Sequence, residues 1–371
     1  MGALRTGVAL LLSPVLLLLY AVVSLVGLFF PVRFTRWFIF NVPGASWQQG
    51  DLSEEQWQPA HLTAPEVEMP EIGSAVAHDY RTEHSIPKAR SAPNICVCSW
   101  NIFLATNLEK VIAELGAMQP APDVILLQED NIYKDVREST EEKTVFRQAG
   151  GAIAKALNMN CIFVPAYYRG RVDDGSVRGC YGMSILSLHD LRNVQTLKCE
   201  VKCAVLTWPR RAGVHALGWH SLAQRATPPQ VRPWLVEQMG DWFYGHRYFP
   251  YAEIHLPGHA QAVGVVSVHL PSVGKFSERC AMLDTLLMQM QTASKDTLML
   301  IGGDMNTLAF PFRYAIPFGT TDMYCSLEKE PDALRRKLTS LGLHDPFLNE
   351  IGTFPMTGNN KLDWLLFRPT E

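Results

Sequence analysis

Apolar residues in this chain gather in short runs that end abruptly on a polar side chain. Ile95-Cys96-Val97-Cys98-Ser99-Trp100 gives way to Asn101, and the run after Asp123 ends at Gln128-Glu129. Val263 to Val268 leads into His269, and Thr297 to Ile301 is followed by Gly302, Gly303, Asp304 and Asn306. Runs of this length, bounded by turn residues, predict buried strands. Cys161–Val164, Tyr181–Ser187 and Lys361–Phe367 read the same way, the last with Asp363 embedded near its start. Helical spacing predicts a helix over Leu108–Met118, with Leu108, Val111, Ile112 and Leu115 on one face and Asn107 as N-cap. Pro120 and Pro122 stop it. Further helices are predicted over Phe146–Leu157, Ser277–Gln291 (with Ser277 as cap) and Asp332–Leu341. Arg169–Gly179 reads as a polar loop, and Trp208–Tyr251 as an irregular insertion rich in Trp, Tyr and Arg. The strand–helix–strand order from Ile95 to Glu129 predicts a parallel pair, with Asn101 and Glu129 on one edge of the sheet.

The N-terminus follows a different pattern. Val8 to Phe30 holds no charged residue and is rich in Leu and Val. At about 1.5 Å per residue it spans a hydrocarbon core of about 30 Å. It is longer than the about 7–15 residues of a signal peptide's apolar core, so a retained single-pass anchor is preferred to a cleaved signal. Arg33 and Arg36 after it, against Arg5 before it, lean toward a cytoplasmic C-terminal domain. The expected division is 1–36 anchor, 37–93 linker with one short helix around Ser53–Trp57, and 94–371 catalytic-type domain.

Composition narrows the function classes a little. The formal net charge of -3 over 371 residues supplies no global basic field for gathering nucleic acid, although a local patch would suffice. The eight Cys show no metal-ligand spacing and no disulfide framework, and Cys96 and Cys98 read as small strand hydrophobes.

The candidate chemistry lies where the apolar runs stop. In extended geometry Asp304 and Asn306 leave the chain on one side, a carboxylate and an amide suited to a metal-bound phosphate. The same Gly-Gly-Asp-Met-Asn stretch also suits an Asx-rich turn. Glu129 reads either as a ligand or as a plain strand terminus, and a lone His such as His269 is more often structural. Asp363, inside an apolar strand, needs partners. Taken together, Asn101, Glu129, His269, Asp304, Asn306 and Asp363 each end, or sit inside, such a run.

In this order the motifs resemble those of the endonuclease/exonuclease/phosphatase superfamily, which includes pancreatic deoxyribonuclease, inositol polyphosphate 5-phosphatases and neutral sphingomyelinases. The carrying residues are Ser99-Trp100-Asn101, Leu127-Gln128-Glu129, Gly182–Ser187, Ser267-Val268-His269-Leu270, Gly302-Gly303-Asp304-Met305-Asn306 and Leu362-Asp363-Trp364. The resemblance covers Ile95 to Phe367. It implies an α/β (α+β) four-layer sandwich, in which two mixed sheets pack face to face with helices outside, here preceded by the transmembrane helix. It further implies Glu129 as the main Mg²⁺ ligand (Mn²⁺ being the alternative ion), with Asn101 beside it. Asp304 would orient or deprotonate the attacking water, Asn306 would donate to phosphate, and His269 would contact phosphate. Asp363 resembles the family's buried Asp that holds a catalytic His in a terminal Ser-Asp-His motif. No Ser-Asp-His occurs in this sequence. The family pattern therefore points to a chain lacking its last strand, or to a protein that has lost that strand and much of its activity. Two functions are expected to compete: a membrane-anchored Mg²⁺-dependent phosphoesterase acting on a lipid or inositol-phosphate headgroup or on nucleic acid, and a non-catalytic phosphate-binding module. The aromatic and Arg residues of Trp208–Tyr251 would serve as a lip on headgroups or as an insertion packing its own aromatics.

Overall fold

The computed structural model describes residues 64–82, 95–102, 105, 107–135, 137–140, 143–169, 179–202, 244–256, 261–271, 276–293, 298–307, 330–347 and 363–368. The Val8–Phe30 segment, the Ser53–Trp57 helix and most of the Trp208–Tyr251 insertion lie outside the described residues. Among the described residues no helix is long and apolar enough to cross a membrane.

Two sheets form the body. In chain order the first contains β1 (Glu66–Val67), β2 (Val76–Asp79), β3 (Val97–Asn101), β4 (Val124–Lys134), β5 (Phe146–Gln148), β6 (Asn160–Arg169) and β7 (Gly179–Ser187). Its spatial order is β1-β5-β4-β7-β6-β2, with β3 also paired to β4. The second contains β8 (Asp190–Lys202), β9 (Tyr244–His255), β10 (Val263–His269), β11 (Leu298–Asp304) and β12 (Asp363–Arg368), in the order β12-β11-β10-β9-β8. Both are mixed: β3 and β4 run parallel, as do β10 and β11, while their other neighbours run antiparallel. The helices are α1 (Leu108–Ala117), α2 (Ala149–Leu157), α3 (Phe276–Ala293) and α4 (Glu330–Ser340).

Strand alternation sorts the apolar residues into three packed layers. Ile125 and Leu127 of β4 face Leu108, Val111 and Leu115 of α1 and Ile153 of α2. Val124 and Leu126 face the other way and meet Ala252, Ile254, Val263, Val265 and Leu300 of the second sheet. Val266, Val268 and Ile301 face outward again, onto Met282, Leu283 and Leu286 of α3 and Leu334 and Leu338 of α4. Helices, sheet, sheet and helices therefore stack in sequence, the arrangement that the motif order implied.

Several elements differ from the pattern-based expectation. Phe146–Gln148 is a strand, β5, because it pairs with Ile132–Lys134; only Ala149–Leu157 is helical. Asn107 occupies the N-cap position of α1 but makes no side-chain cap bond there. Ser277 lies inside α3 rather than before it. Two strands occur in the stretch read as linker: β1 pairs with β5, and β2 pairs with β6. Both are edge strands too short and too polar for their periodicity to register. Residues 244–251, read as part of an irregular insertion, belong to β9, and the polar edge strand β8 was missed altogether. Leu197 and Cys199 of β8 are buried at alternate positions, but the charges of Lys198 and Glu200 hide that alternation, and Phe249–Ala252 of β9 are buried without a break, so no period of two marks that strand.

Candidate active site

The face of each sheet that meets the other runs from apolar to polar toward one end. On β10 the inward residues are Val263, Val265, Ser267 and His269; on β11 they are Leu298, Leu300, Gly302 and Asp304. On β3 they are Val97, Ser99 and Asn101, and on β4 Val124, Leu126 and Gln128. The result is an apolar floor, a polar tier above it, and a row of ionisable and amide side chains on top.

The polar tier is a buried network joining the sheets. The Gln128 amide nitrogen donates to Ser267 Oγ at 2.9 Å, to the Leu126 carbonyl at 3.0 Å and to Ser99 Oγ at 3.4 Å. Ser267 Oγ in turn donates to the Leu127 carbonyl at 2.9 Å. Gly302 belongs to the same tier because the sheets approach so closely there. A Cβ on it would lie 2.5 Å from Leu126 Cδ1 and 3.1 Å from Ser99 Cβ. Gly303 adopts φ +154, where a Cβ would lie 1.8 Å from the Val268 carbonyl oxygen. The two glycines sit within β11 rather than ending it.

The active row lies directly above. Asn101, from the first sheet, donates its amide to Glu129 Oε1 and to Asp304 Oδ2, both at 3.0 Å. His269 and Asp304 are register partners on parallel strands, and His269 Nε2 lies 3.8 Å from Asp304 Oδ2 and 4.0 Å from Glu129 Oε1. Asp363 begins β12 opposite Asp304. Asn306 follows the strand at φ 49 rather than in extended geometry. Its backbone N–H donates to Asp304 Oδ1 at 2.8 Å, and its side-chain amide donates to the Leu270 carbonyl at 2.7 Å. The Asx-turn arrangement is therefore real, and it fixes the Asp304 carboxylate at the site. Asn101, His269, Asp304, Asn306 and Asp363 thus lie at or just past adjoining strand ends, whereas Glu129, expected to end its strand, sits in the middle of β4, which runs on to Lys134. Asn101, Glu129, His269 and Asp304 lie within about one hydrogen-bonded shell of each other.

Glu129 reaches this row through a backbone irregularity. The β4–β7 register shifts between Gln128 and Asp130, and Glu129 has φ 55. The extra residue is a β-bulge. It lets Gln128 and Glu129, neighbours in sequence, both serve the inter-sheet side.

Electrostatics follow from burial. Burial pushes the Asp304 carboxyl above the usual carboxylate range, opposed by the Asn306 N–H, the Asn101 amide and the Arg279 charge. Such a carboxylate binds a proton more readily than an exposed one. Burial also pushes His269 below the ordinary histidine value; Glu129 opposes this and Arg247 adds to it. Arg279 of α3 is 2% exposed, and burial lowers its pKa to about 10, which leaves it cationic at neutral pH. Sequence reasoning overlooked Arg279 and the buried tier. The signal for Arg279 was available: it occupies the same helical face as Met282, Leu283 and Leu286, where a charge demands an explanation.

Comparisons with known proteins add the following. No family model and no curated protein matches the sequence. Solved structures do resemble the fold, and they include endonuclease/exonuclease/phosphatase proteins. The family protein from Leptotrichia buccalis C-1013-b shares 13% identity over 75% of this chain and 88% of that one, with a TM-score of 0.44. The protein from Beutenbergia cavernae DSM 12333 shares 15% identity over 74% of this chain and 64% of that one, with a TM-score of 0.44. The catalytic domain of human Nocturnin with bound sulfate shares 15% identity over 79% of this chain and 84% of that one, with a TM-score of 0.39. What the site can do follows from its own side chains.

Carboxylate and amide oxygens, which Glu129, Asp304 and Asn101 carry, are the hard donors that a divalent cation takes. Two carboxylates from different sheets, Glu129 and Asp304, converge on one Asn101 amide group, whose N–H bonds bridge them. Among the described residues no group of three or more His, Cys, Asp or Glu is arranged to hold a metal ion.

Proposed function

We propose that this chain is a metal-dependent phosphoesterase of the endonuclease/exonuclease/phosphatase kind, cleaving a phosphodiester or phosphomonoester by attack of water. The observation that carries the reading is the junction of Asn101, Glu129, His269 and Asp304, built from three strand ends and the β4 bulge across both sheets. Glu129, with Asn101 beside it, would hold Mg²⁺ or Mn²⁺. When bound, that ion supplies polarisation of a phosphoryl oxygen and charge neutralisation at the leaving group. Asp304, held by the Asn306 N–H on Oδ1, presents Oδ2 to orient water and take its proton. His269 Nε2 stands beside that oxygen as a donor to phosphate. Asn306 supports the turn through the Leu270 carbonyl, so its part in phosphate binding is shared with a structural one. Asp363, opposite Asp304 in register, would hold a catalytic His, the role that the resemblance implies.

Within this reading a lipid or inositol-phosphate headgroup is the favoured substrate, because the Val8–Phe30 run suits a single-pass anchor that would hold the domain at a cytoplasmic membrane face. Nucleic acid is the alternative. A non-catalytic phosphate-binding module is the second functional reading.

The test is a hydrolysis panel on the full chain, with and without millimolar Mg²⁺, offering phosphoinositide and sphingomyelin vesicles and a single-stranded oligonucleotide. Mg²⁺-dependent hydrolysis of the lipid substrates supports the favoured reading, and of the oligonucleotide alone, the alternative. Mg²⁺-dependent binding without turnover of any substrate assigns the binding module. For the anchor, a chain lacking Met1–Phe30 is expected to leave the membrane fraction; retention after a carbonate wash places the attachment elsewhere.

A further inference from the structure

Glu129 and Asp130 are adjacent acids on one strand, yet they face opposite sides of the sheet and only one reaches the site. Glu129 is at φ 55, a left-handed backbone that a residue with a Cβ adopts at a cost and keeps only where its surroundings enforce it. What enforces it lies on the far side of the strand. Asp130 is fully buried against α2. Its Oδ1 accepts the Asn131 N–H and the Gly150 N–H, both at 2.7 Å, and its Oδ2 accepts the Ser184 hydroxyl and, at 3.4 Å, the Gln148 amide. These donors come from β4, β5, β7 and the first turn of α2. The fit is close: a Cβ on Gly150 would lie 2.1 Å from Asp130 Oδ2. The helix gains from it too. Gln148, at the N-cap position of α2, makes no side-chain cap bond, and the Asp130 carboxylate supplies that acceptor from another strand.

Strand alternation makes this bond set decisive. Leu127 faces the helices, so an unbulged strand would turn Glu129 toward them as well and swing Asp130 to the site side. We propose that Asp130 is a positioning residue for Glu129: clamped to the start of α2, it fixes the phase of the bulge and selects which of two adjacent acids faces the site. The proposal rests on Glu129 being the metal ligand only for its consequence in metal affinity; the geometric part stands on the bulge itself.

Three variants of the full chain test it. Asp130→Ala removes the clamp, Gly150→Ala drives a methyl into it from the helix side, and Asp130→Asn keeps an oxygen for the two backbone N–H groups. The first measurement is calorimetric titration with Mg²⁺ alone. Asp130→Ala and Gly150→Ala are expected to weaken Mg²⁺ binding about tenfold or more, and Asp130→Asn to restore it to within about threefold of wild type, in the range seen for residues that orient metal ligands. The second measurement is the metal-free crystal structure of Gly150→Ala, which is expected to show Glu129 out of the left-handed region and the Asn101–Glu129 contact broken. Should Asp130→Ala fail to fold, Gly150→Ala against Asp130→Asn carries the comparison. An intact bulge with an intact Asn101–Glu129 contact in Gly150→Ala overturns the proposal, whatever happens to Mg²⁺ affinity. Unchanged Mg²⁺ affinity with Glu129 displaced leaves Asp130 as the positioning residue and removes Glu129 from the metal site. A wild-type chain that binds no Mg²⁺ overturns the metal reading, while the crystal structure still decides the positioning role.

Discussion

Asn101 and Asp304 are 203 residues apart and belong to different sheets, yet the amide of one donates to Oδ2 of the other at 3.0 Å. That bond exists only when the two sheets pack. The same amide reaches Glu129, so the site's charge is balanced across the sandwich junction rather than within either sheet. A loss of inter-sheet packing would therefore separate Asp304 from Glu129 before it unfolded either strand.

Glu129→Gln keeps the shape of the side chain and removes its charge. Its unfolding temperature is expected to become nearly insensitive to Mg²⁺, whereas wild type gains about 2.7 kcal/mol at a free Mg²⁺ concentration of about 100 times Kd. In the absence of metal the variant should be as stable as wild type or more so, since Glu129 shares the Asn101 amide with a second carboxylate. Thermal unfolding of both proteins with and without millimolar Mg²⁺ checks this. Equal Mg²⁺ stabilisation of the two would exclude Glu129 as a ligand.

Asp304→Asn preserves an oxygen for the Asn306 N–H but removes the proton acceptor at Oδ2. Turnover is expected to fall by about 10²–10⁴, the usual worth of a positioned base, with little change in KM. Steady-state kinetics on whichever substrate the hydrolysis panel identifies decides it. A variant retaining full turnover would mean that the proton goes elsewhere.

Gly302→Ala and Gln128→Ala both strike the buried tier beneath the site. The alanine methyl at position 302 meets Leu126 Cδ1 at 2.5 Å. Overpacking of that kind costs about 1–3 kcal/mol. Removing the Gln128 amide takes away the donor to the Ser267 and Ser99 hydroxyl oxygens, although Ser267 keeps its own bond to the Leu127 carbonyl, at a cost of about 1–3 kcal/mol. Urea unfolding should show a lower midpoint for each, and a midpoint within error of wild type would argue that the sheets are not in contact there.

Arg81, just after β2, ties the sheets together at another place, bonding Asp79 at the end of β2 and Asp190 at the start of β8, each at 2.9 Å. Its hydrogen bonds hold both carboxyls below the usual carboxylate range. Because the folded values are depressed, their stabilisation is present above the ordinary carboxylate pKa of about 3.9 and is lost as pH falls below it. Both aspartates are more than half exposed, so solvent screening limits the contribution to under about 1 kcal/mol. Arg81→Gln should therefore lower stability slightly at pH 7 and flatten its decline on acidification. Denaturation midpoints across that range test it; identical slopes for the two proteins would contradict the assignment.

What the sequence determined by itself was the set of buried central strands and their polar ends. Continuous apolar runs such as Val263–Val268 carry that signal because both faces of a central strand are covered. Asn101, Glu129, His269, Asp304, Asn306 and Asp363 were legible for the same reason, each interrupting or ending such a run. The edge strands β1, β2 and β8 were not legible, since half of each faces solvent and accepts polar residues freely. Only the tertiary structure decided how the candidates meet. The bulge at Glu129 breaks the period of two on which strand reading depends, and its clamp on α2 is a contact between Asp130 and Gly150, 20 residues away. The buried Arg279 charge acts on Asp304 because helix packing places α3 behind the sheet, and Asn306 turns from an extended neighbour of Asp304 into the donor that holds it. Such relations depend on distances between elements, which a pattern along one chain does not encode.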